Sequence, residues 1–538
     1  MMKQALFFSL SILVLFTFSY CQSPRPPART DPRELSGKLP LDLSLVHRST
    51  ADQSVEPDTS VFRFGVNPGW YGNGYTDQLL HRIASEAGVH SSRPGFSDNL
   101  ASDFGYNCRI DAFRYYYDTL DIRENVVFLN GPSPDHRDTT HYCSNRSLTF
   151  AHLYDPVWNA DSTVNPGNFY ASYVYNVVKR YGPFVRFWEV WNEPDITNAT
   201  TAYSLPGQSG NWFDNPPPVA NLYGFYAPVW VYNRMLRITY TIVHRLYPWE
   251  YVCTGGLGYP SFLDAILRFT DNPDSGKVSP QYPLKGGAYF DVLSFHSYPQ
   301  YRLHHWDNSI GGFAYQRTSD YACQAATLLK DAFQDVLDRY GYNGVRFPRK
   351  LFINTEINIP RRKFGEQIGS DLAQHNFMVK WLVKAQQEGI LQVYIFALGE
   401  AQDPDKAKDV FGLMGLYENL TRDPYGQQKL TQEGVAVKTM SELTYGYRYD
   451  SSLTRRLRLP ADVDGAAFSR DGHPIFILWA RQLTDESEAT NTQYHFPAEM
   501  GLGNLKEFLW DYAKTPGDTS TVQARSVELG GTPVFLFP

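Results

Sequence analysis

Between about residues 59 and 440 the chain alternates short apolar runs with longer segments whose apolar positions recur every three to four residues. The short runs, of strand length, fall at 61–66, 90–96, 125–129, 184–190, 251–257, 290–295, 350–355 and 391–398. The periodic segments predict helices over 77–87, 108–117, 169–181, 223–246, 262–269, 323–340, 372–387 and 434–443. Eight strands, each followed by a helix, is the count of a parallel (β/α)8 TIM barrel of α/β class with long insertions. A doubly wound open sheet competes with it. That fold prefers a Gly-rich phosphate loop opening a helix after the first strand, and Gly65-Val66-Asn67-Pro68-Gly69 is not followed by such a helix start.

Beyond residue 444 the pattern changes to short alternating segments at 475–480, 506–511 and 526–537, with turns at Asp471-Gly472, Pro516-Gly517 and Gly530-Gly531. This predicts a C-terminal antiparallel β-sandwich over 445–538, packed against a barrel spanning 59–444. A separate carbohydrate-binding module is the alternative, although no long linker precedes it. Residues 22–58 read as a Pro-, Arg- and Ser-rich linker in which Leu41, Leu43 and Leu45 alternate as an isolated strand signal.

The run at 184–190 is apolar and aromatic and leads straight into Trp191-Asn192-Glu193-Pro194. With period two, Glu189, Trp191 and Glu193 share one face. A carboxylate is costly to bury unless paired or functional, so this strand end predicts a site that grips a polar group against a planar face. A solvated Glu193 on an edge strand is the plain alternative.

Barrels carry their chemistry at the carboxyl ends of strands, which directs attention to the seventh, Leu351-Phe352-Ile353-Asn354-Thr355-Glu356-Ile357-Asn358. Glutamates ending strands four and seven face each other across the mouth. At about 5–5.5 Å such a pair serves a retaining glycosidase: one protonates the leaving oxygen and the other attacks the anomeric carbon. A strand-end salt bridge is the plain alternative for Glu356. Glu189, two residues deeper than Trp191, is expected to be an interior carboxylate with a structural partner.

Composition narrows the partners. Aromatic residues make up 15% of the chain, which leans toward carbohydrate, whose ring CH groups stack on aromatic faces, although core packing uses the same residues. The net charge of -7 argues against nucleic acid or an anionic membrane surface. Lys3 and the apolar run 5–20 form a secretory signal pattern over 1–21, with Ser19-Tyr20-Cys21 as a cleavage site. A lipid anchor on Cys21 is the alternative, disfavoured by the bulky Tyr20. Export places the mature protein outside the cell or in a periplasm, with no later membrane-spanning run. Of Cys108, Cys143, Cys253 and Cys323, none has metal-ligand spacing. Cys108 and Cys143 are either a disulfide or two free thiols. Asn145-Arg146-Ser147, Asn198-Ala199-Thr200 and Asn419-Leu420-Thr421 match the glycosylation pattern.

With both glutamates in place, residues of about 59–440 resemble clan A of the glycoside hydrolases, and the barrel-plus-sandwich layout is similar to family 39, which includes β-xylosidases and α-L-iduronidases. The resemblance implies Glu193 as acid/base, Glu356 as nucleophile and Asn192 as a donor to the sugar 2-hydroxyl. It further implies that His296 and Tyr298 of His296-Ser297-Tyr298-Pro299 line the sugar site, with Tyr298 hydrogen-bonded to the nucleophile. Arg93, at the end of strand two, matches the clan's arginine, which favours the ionised nucleophile. Two features depart from the pattern: strand eight, 393–400, lacks the usual Trp, and strand three offers no His before Gly131-Pro132.

Trp70, after the first strand, is a candidate stacking platform. Glu400 ends strand eight as a substrate contact or a salt bridge. His304-His305 lack a third ligand at metal spacing, so no metal is expected, and no cofactor. Tyr115-Tyr116-Tyr117 suits helix packing, and the insertion 197–218 is expected to wall the site. The combined expectation is an exported retaining glycoside hydrolase acting on carbohydrate by double displacement. A catalytically silent carbohydrate-binding barrel and a metal-dependent barrel hydrolase are the rivals.

Overall fold

The computed structural model describes residues 60–139, 149–204, 208 and 210–538. The signal segment with Cys21, the 22–58 linker with its Leu41, Leu43 and Leu45 alternation, Cys143 and the Asn145 sequon lie outside these residues.

Nine parallel strands form the main sheet: β1 (Phe64–Val66), β2 (Ser91–Ser92), β3 (Gly95–Ser97), β4 (Asn125–Asn130), β5 (Val185–Val190), β6 (Tyr251–Cys253), β7 (Val292–Ser297), and, after a two-stranded ribbon of β8 (His304–Asp307) and β9 (Gly312–Tyr315), β10 (Leu351–Ile357) and β11 (Val393–Ile395). Their order is β2-β1-β11-β10-β7-β6-β5-β4-β3, so the last strand pairs with the first in a curled, barrel-like sheet. The ends of this ladder, β2 and β3, are separated in the chain only by Arg93 and Pro94. The single strand expected at 90–96 is therefore divided in two. Pro94 has no N–H to donate, which is where the ladder breaks. Arg93 N–H still bonds Val66 O (3.0 Å) on one side, and Pro94 O accepts from Phe128 N–H (3.4 Å) on the other.

Helices α1 (Asp77–Glu86), α2 (Asp98–Phe104), α3 (Ile110–Asp118), α4 (Phe169–Tyr181), α5 (Val229–Leu246), α6 (Pro260–Arg268), α7 (Ser319–Arg339), α8 (Asp371–Gln387) and α9 (Gln432–Thr444) lie between the strands. Thr76, Ser97, Asn168, Thr318, Ser370 and Thr431 cap six of them, each side chain accepting the N–H three residues on. The short polar α2 and the β8–β9 ribbon carry too little periodicity to be predicted. Helix α5 begins after Pro228 rather than at 223, because the residue before a proline avoids helical backbone. Tyr116 packs in the core against His81 at 3.8 Å, the bland outcome for the triple tyrosine.

Inside the sheet, Val126, Phe187, Tyr251, Cys253, Val292, Ile353 and Tyr394 form an apolar floor. Glu189 stands two residues beyond Phe187 on the same face, so the polar cluster described below begins directly on this floor.

The C-terminal unit adds β12 (Arg448–Tyr449), a short α10 (Ser451–Leu457), β13 (Val463–Arg470), β14 (His473–Ala480), β15 (Asn491–Tyr494), β16 (Asn504–Phe508), β17 (Ser520–Gln523), β18 (Val527–Gly530) and β19 (Val534–Phe537). It is a six-stranded antiparallel sheet, β12-β13-β14-β19-β16-β17, accompanied by the pair β15-β18. Along β14, Ile475, Ile477 and Trp479 join the main core, while Phe476, Leu478 and Ala480 join a second core internal to this unit. The uninterrupted apolar run is thus two interleaved faces, each buried for its own reason. Trp479 Nε1–H donates to Asp320 Oδ1 of α7 (2.9 Å), and Lys380 of α8 pairs with Oδ2 of the same aspartate (2.8 Å). Cys253 and Cys323 are buried thiols, and no helix among the described residues is long and apolar enough to cross a membrane.

Candidate active site

Strand β5 ends at Val190, and the backbone then turns sharply: Trp191 and Glu193 both have positive φ, 74° and 49°. Left-handed backbone at two non-glycine residues is costly and persists only where neighbours over-determine it. Here Trp191 N–H bonds Leu129 O (3.0 Å), its Nε1–H bonds Gly224 O (2.7 Å), and Glu193 N–H bonds Gly255 O (2.6 Å). A Cβ on Gly224 would stand 1.9 Å from Glu193 O, so only glycine lets that backbone close over the turn. The turn also ends the period-two alternation. Trp191 is buried against Phe225 and supplies no open face for a sugar, so the planar face expected at this strand end is not its indole.

Glu356 reaches the site through a different irregularity. Thr355 Oγ1 donates to Glu189 Oε1 (3.1 Å), while Glu356 Oε1 accepts from Arg93 Nη1–H (2.7 Å), so consecutive residues both face the interior. Regular pleating forbids that. The register between β10 and β7 shifts between Asn354 and Glu356, and this bulge aims both side chains inward. Asn354 Nδ2 braces the bulge by donating to Phe295 O (2.9 Å) and Glu356 O (3.0 Å).

Arg93, 2% exposed, is the hub. Its Nε–H donates to Glu189 Oε2 (2.6 Å), Nη1–H to Glu356 and to Asn67 Oδ1 (3.0 Å), and Nη2–H to Asn192 Oδ1 (2.6 Å). Burial alone would lower its pKa, but the charges of Glu189 and Glu356 outweigh burial and hold the guanidinium protonated. Glu189 is completed by Ser294 Oγ–H on Oε1 (2.8 Å), so it is the interior carboxylate with structural partners that the sequence leads one to expect. Asn192, held through Oδ1, keeps an amide donor for another partner.

Tyr298 O–H donates to Glu356 Oε2 (2.5 Å). His296 Nδ1 lies 2.8 Å from Glu193 Oε1 and 3.5 Å from Glu356 Oε2, bridging the two glutamates. Burial pushes the imidazole down to about 4, so it is neutral near pH 7 and orients Glu193 without adding charge. A Cβ on Gly256 would fall 2.2 Å from His296 Nε2, so this glycine makes room for the ring. Burial raises Glu193 to about 7, Arg93 opposing and Glu189 adding to the shift. Glu193, His296 and Glu356 each offer an atom within 4.8 Å of the others. Such a trio could hold a cation, but the Arg93 guanidinium already lies 2.7 Å from Glu356 and disfavours a second positive charge there.

Of the sequence-derived candidates, the structure thus joins Glu193, Glu356, Asn192, Arg93, His296 and Tyr298 in one hydrogen-bonded cluster. Trp70 stands differently: 49% exposed, its ring carries the guanidinium of Arg109 at 5.3 Å, itself clamped by Asp77. Glu400 is fully buried and forms a salt bridge to the partly exposed Arg361 (2.5 and 2.8 Å). His304 packs on Phe313 and Tyr315 rather than forming a ligand set.

Three further groups flank these strand ends. Asn67, just past β1, is signalled in the sequence only by being a polar residue at a strand end. Phe396, just past β11 where the Trp is lacking, lies edge-on to Tyr298 at 6.0 Å and to Phe411. His136, six residues past β4, pairs with the buried Asp98 (2.8 Å). Its distance from the strand end hid it.

No protein-family model matches this chain, and no curated protein matches it. Among solved structures, a family 39 glycoside hydrolase from the gut symbiont Bacteroides cellulosilyticus WH2 superposes with a TM-score of 0.54 at 14% identity, covering 91% of this chain and 82% of that one. A family 51 α-L-arabinofuranosidase from Thermotoga petrophila RKU-1 matches at a TM-score of 0.47 and 12% identity, over 89% of this chain and 95% of that one. The first of these similarities establishes a shared fold: the chain has the architecture of a family 39 glycoside hydrolase, a barrel-like parallel sheet with an antiparallel sheet unit.

Proposed function

We propose that this protein is an exported, retaining O-glycoside hydrolase, its sheet closed into a (β/α)8 barrel through residues 91–97 and its 445–538 unit serving as a structural sandwich. The observation that carries this reading is the pair of glutamates past β5 and in β10, with oxygens within 4.8 Å of each other at one mouth. That spacing leaves no room for the water an inverting pair must hold between its carboxyl groups. The signal pattern over 1–21 supports export.

Glu193, with its pKa raised, gives its proton to the glycosidic oxygen as the bond to C1 breaks. Glu356, oriented by Arg93 and Tyr298, attacks C1 from the opposite face and forms a glycosyl ester. Glu193, now a carboxylate, takes a proton from water, and the resulting hydroxyl displaces Glu356 from C1. The two inversions sum to retention. Asn192 supplies a donor to a sugar hydroxyl and carries no proton in the reaction. No step needs a cofactor.

A proton NMR time course should show the first product with the substrate's anomeric configuration, once hydrolysis of xylosides, glucosides, arabinosides and uronides has identified the sugar. An inverted first product would overturn double displacement. The pH profile gives a second check. The acid step needs protonated Glu193, so kcat/KM should fall as pH rises through about 7. Glu193→Gln should remove that basic limb and slow substrates with poor leaving groups by about 10²–10⁴-fold. Dinitrophenyl glycosides, which need no proton, should lose far less; equal losses on both would reassign the acid.

A further inference from the structure

Six of the fifteen large apolar side chains exposed among the described residues come from just two loops. Tyr203 and Tyr223 follow β5, and Tyr301, Trp306, Ile310 and Phe313 follow β7. These are the loops that begin at Glu193 and at Tyr298. The loop after β6, through Gly258 and Tyr259, joins them at the mouth. Asp195 Oδ2, two residues past Glu193, accepts the N–H groups of Gly258 and Tyr259 (both 2.8 Å). Tyr203 meets the Tyr259 ring edge-on at 5.3 Å, and Gly258 O accepts from Arg302 (3.1 Å) at the foot of the β8–β9 ribbon.

The ribbon is a rigid platform. Its register pairs His304 with Tyr315 and Trp306 with Phe313, and residues so paired or two apart share a face. All four rings therefore lie on one side. Trp306 and Phe313 stand perpendicular at 5.4 Å, and are 42% and 43% exposed. At the base, Gln316 N–H bonds Leu303 O (2.9 Å) and Arg317 is clamped by Asp485 (2.6 Å) from the sheet unit. A ribbon paired to neither large sheet gains nothing for the core by holding two large rings in water.

We propose that this aromatic rim, centred on Trp306 and Phe313, is a second sugar-binding surface, and that it holds saccharide units on the leaving-group side of the cleaved bond. The inference rests on the glycosidase reading, because Glu193 faces the leaving oxygen and the rim continues from its side of the mouth through Asp195, Gly258 and Arg302. An extended oligo- or polysaccharide, rather than a small glycoside, is then the substrate. Ring CH groups stack on exposed indole and phenyl faces regardless of the exact sugar, which matches a rim of rings with few charges among them.

The test compares wild type with Trp306→Ala/Phe313→Ala on 4-nitrophenyl glycosides, whose leaving group carries no sugar, and on oligosaccharides of the same sugar. The double variant should keep its aryl glycoside kcat/KM within about twofold and lose about tenfold or more on oligosaccharides of three or more units. Equal rates on both substrates, or equal losses, overturn the proposal. Mobility in native gels cast with xylan, mixed-linkage β-glucan or a polyuronate gives a readout independent of hydrolysis. Retardation of wild type that the double variant loses supports the surface even if no glycoside is cleaved, a result that would instead count against the glycosidase reading. Equal mobility of both proteins in all three gels, or a variant that differs from wild type only in sedimentation, overturns it in favour of no ligand or a protein interface. Trp306→Ala alone carries the same comparison if the double variant fails to fold.

Discussion

Glu356→Gly is expected to lower turnover by roughly four orders of magnitude, the scale of losing a covalent nucleophile. The fold should survive, because Arg93 keeps Glu189 as an ion partner at 2.6 Å when Glu356 is removed. Deleting the carboxylate opens a space lined by Tyr298 and Arg93 on the face from which C1 is attacked. Azide should enter it, bond to C1 as Glu193 protonates the leaving oxygen, and yield a glycosyl azide of inverted configuration. Rate recovery with added azide, and the anomer of that azide, are the measurements. An intact but unrescued variant would sink the assignment of Glu356 as nucleophile, and a retained azide would sink the geometry of attack.

Arg93→Met is expected to damage both stability and catalysis. Arg93 and Glu189 side chains are 1% and 0% exposed, so the substitution strands a carboxylate in the interior beside a second one. Breaking a buried pair from one side costs about 3–5 kcal/mol, because the remaining charge keeps its desolvation penalty without its partner. Asn192 and Glu356 lose their shared donor at the same time, so activity should fall beyond what the unfolded fraction explains. Urea denaturation read by tryptophan fluorescence measures the first effect. Arg93→Met/Glu189→Gln should recover part of the lost stability while leaving activity low. A stability change below about 1 kcal/mol in the single variant would mean that the arginine does not balance Glu189.

Much of the curled parallel sheet is legible in the sequence because its signal is local. The Gly and Pro punctuation and the apolar strand runs each act over a few residues, and the order of those runs puts Glu193 and Glu356 at strand ends. Where the reading stopped at a periodicity, it erred. Period two puts Trp191 on the face of Glu193, but positive φ at both residues breaks the pleat and turns the indole into the core. Period two would also separate Thr355 from Glu356, and a bulge reunites them. Both departures sit at catalytic candidates, where neighbouring chain compensates for an irregular backbone.

The alternation of elements, the two glutamates at strand ends and the apolar runs depend only on which residue occupies each position, and so can be read along the chain. The place of Arg93 between Glu189, Glu356, Asn67 and Asn192 comes from the folded arrangement, because these groups are drawn from strands and loops up to 263 residues away. The same packing sets His296 between the two glutamates. Such contacts follow from how strands are laid side by side, and no local pattern encodes them. Charge balance in a buried cluster is a property of the whole set of neighbours, which exists only once the sheet has curled.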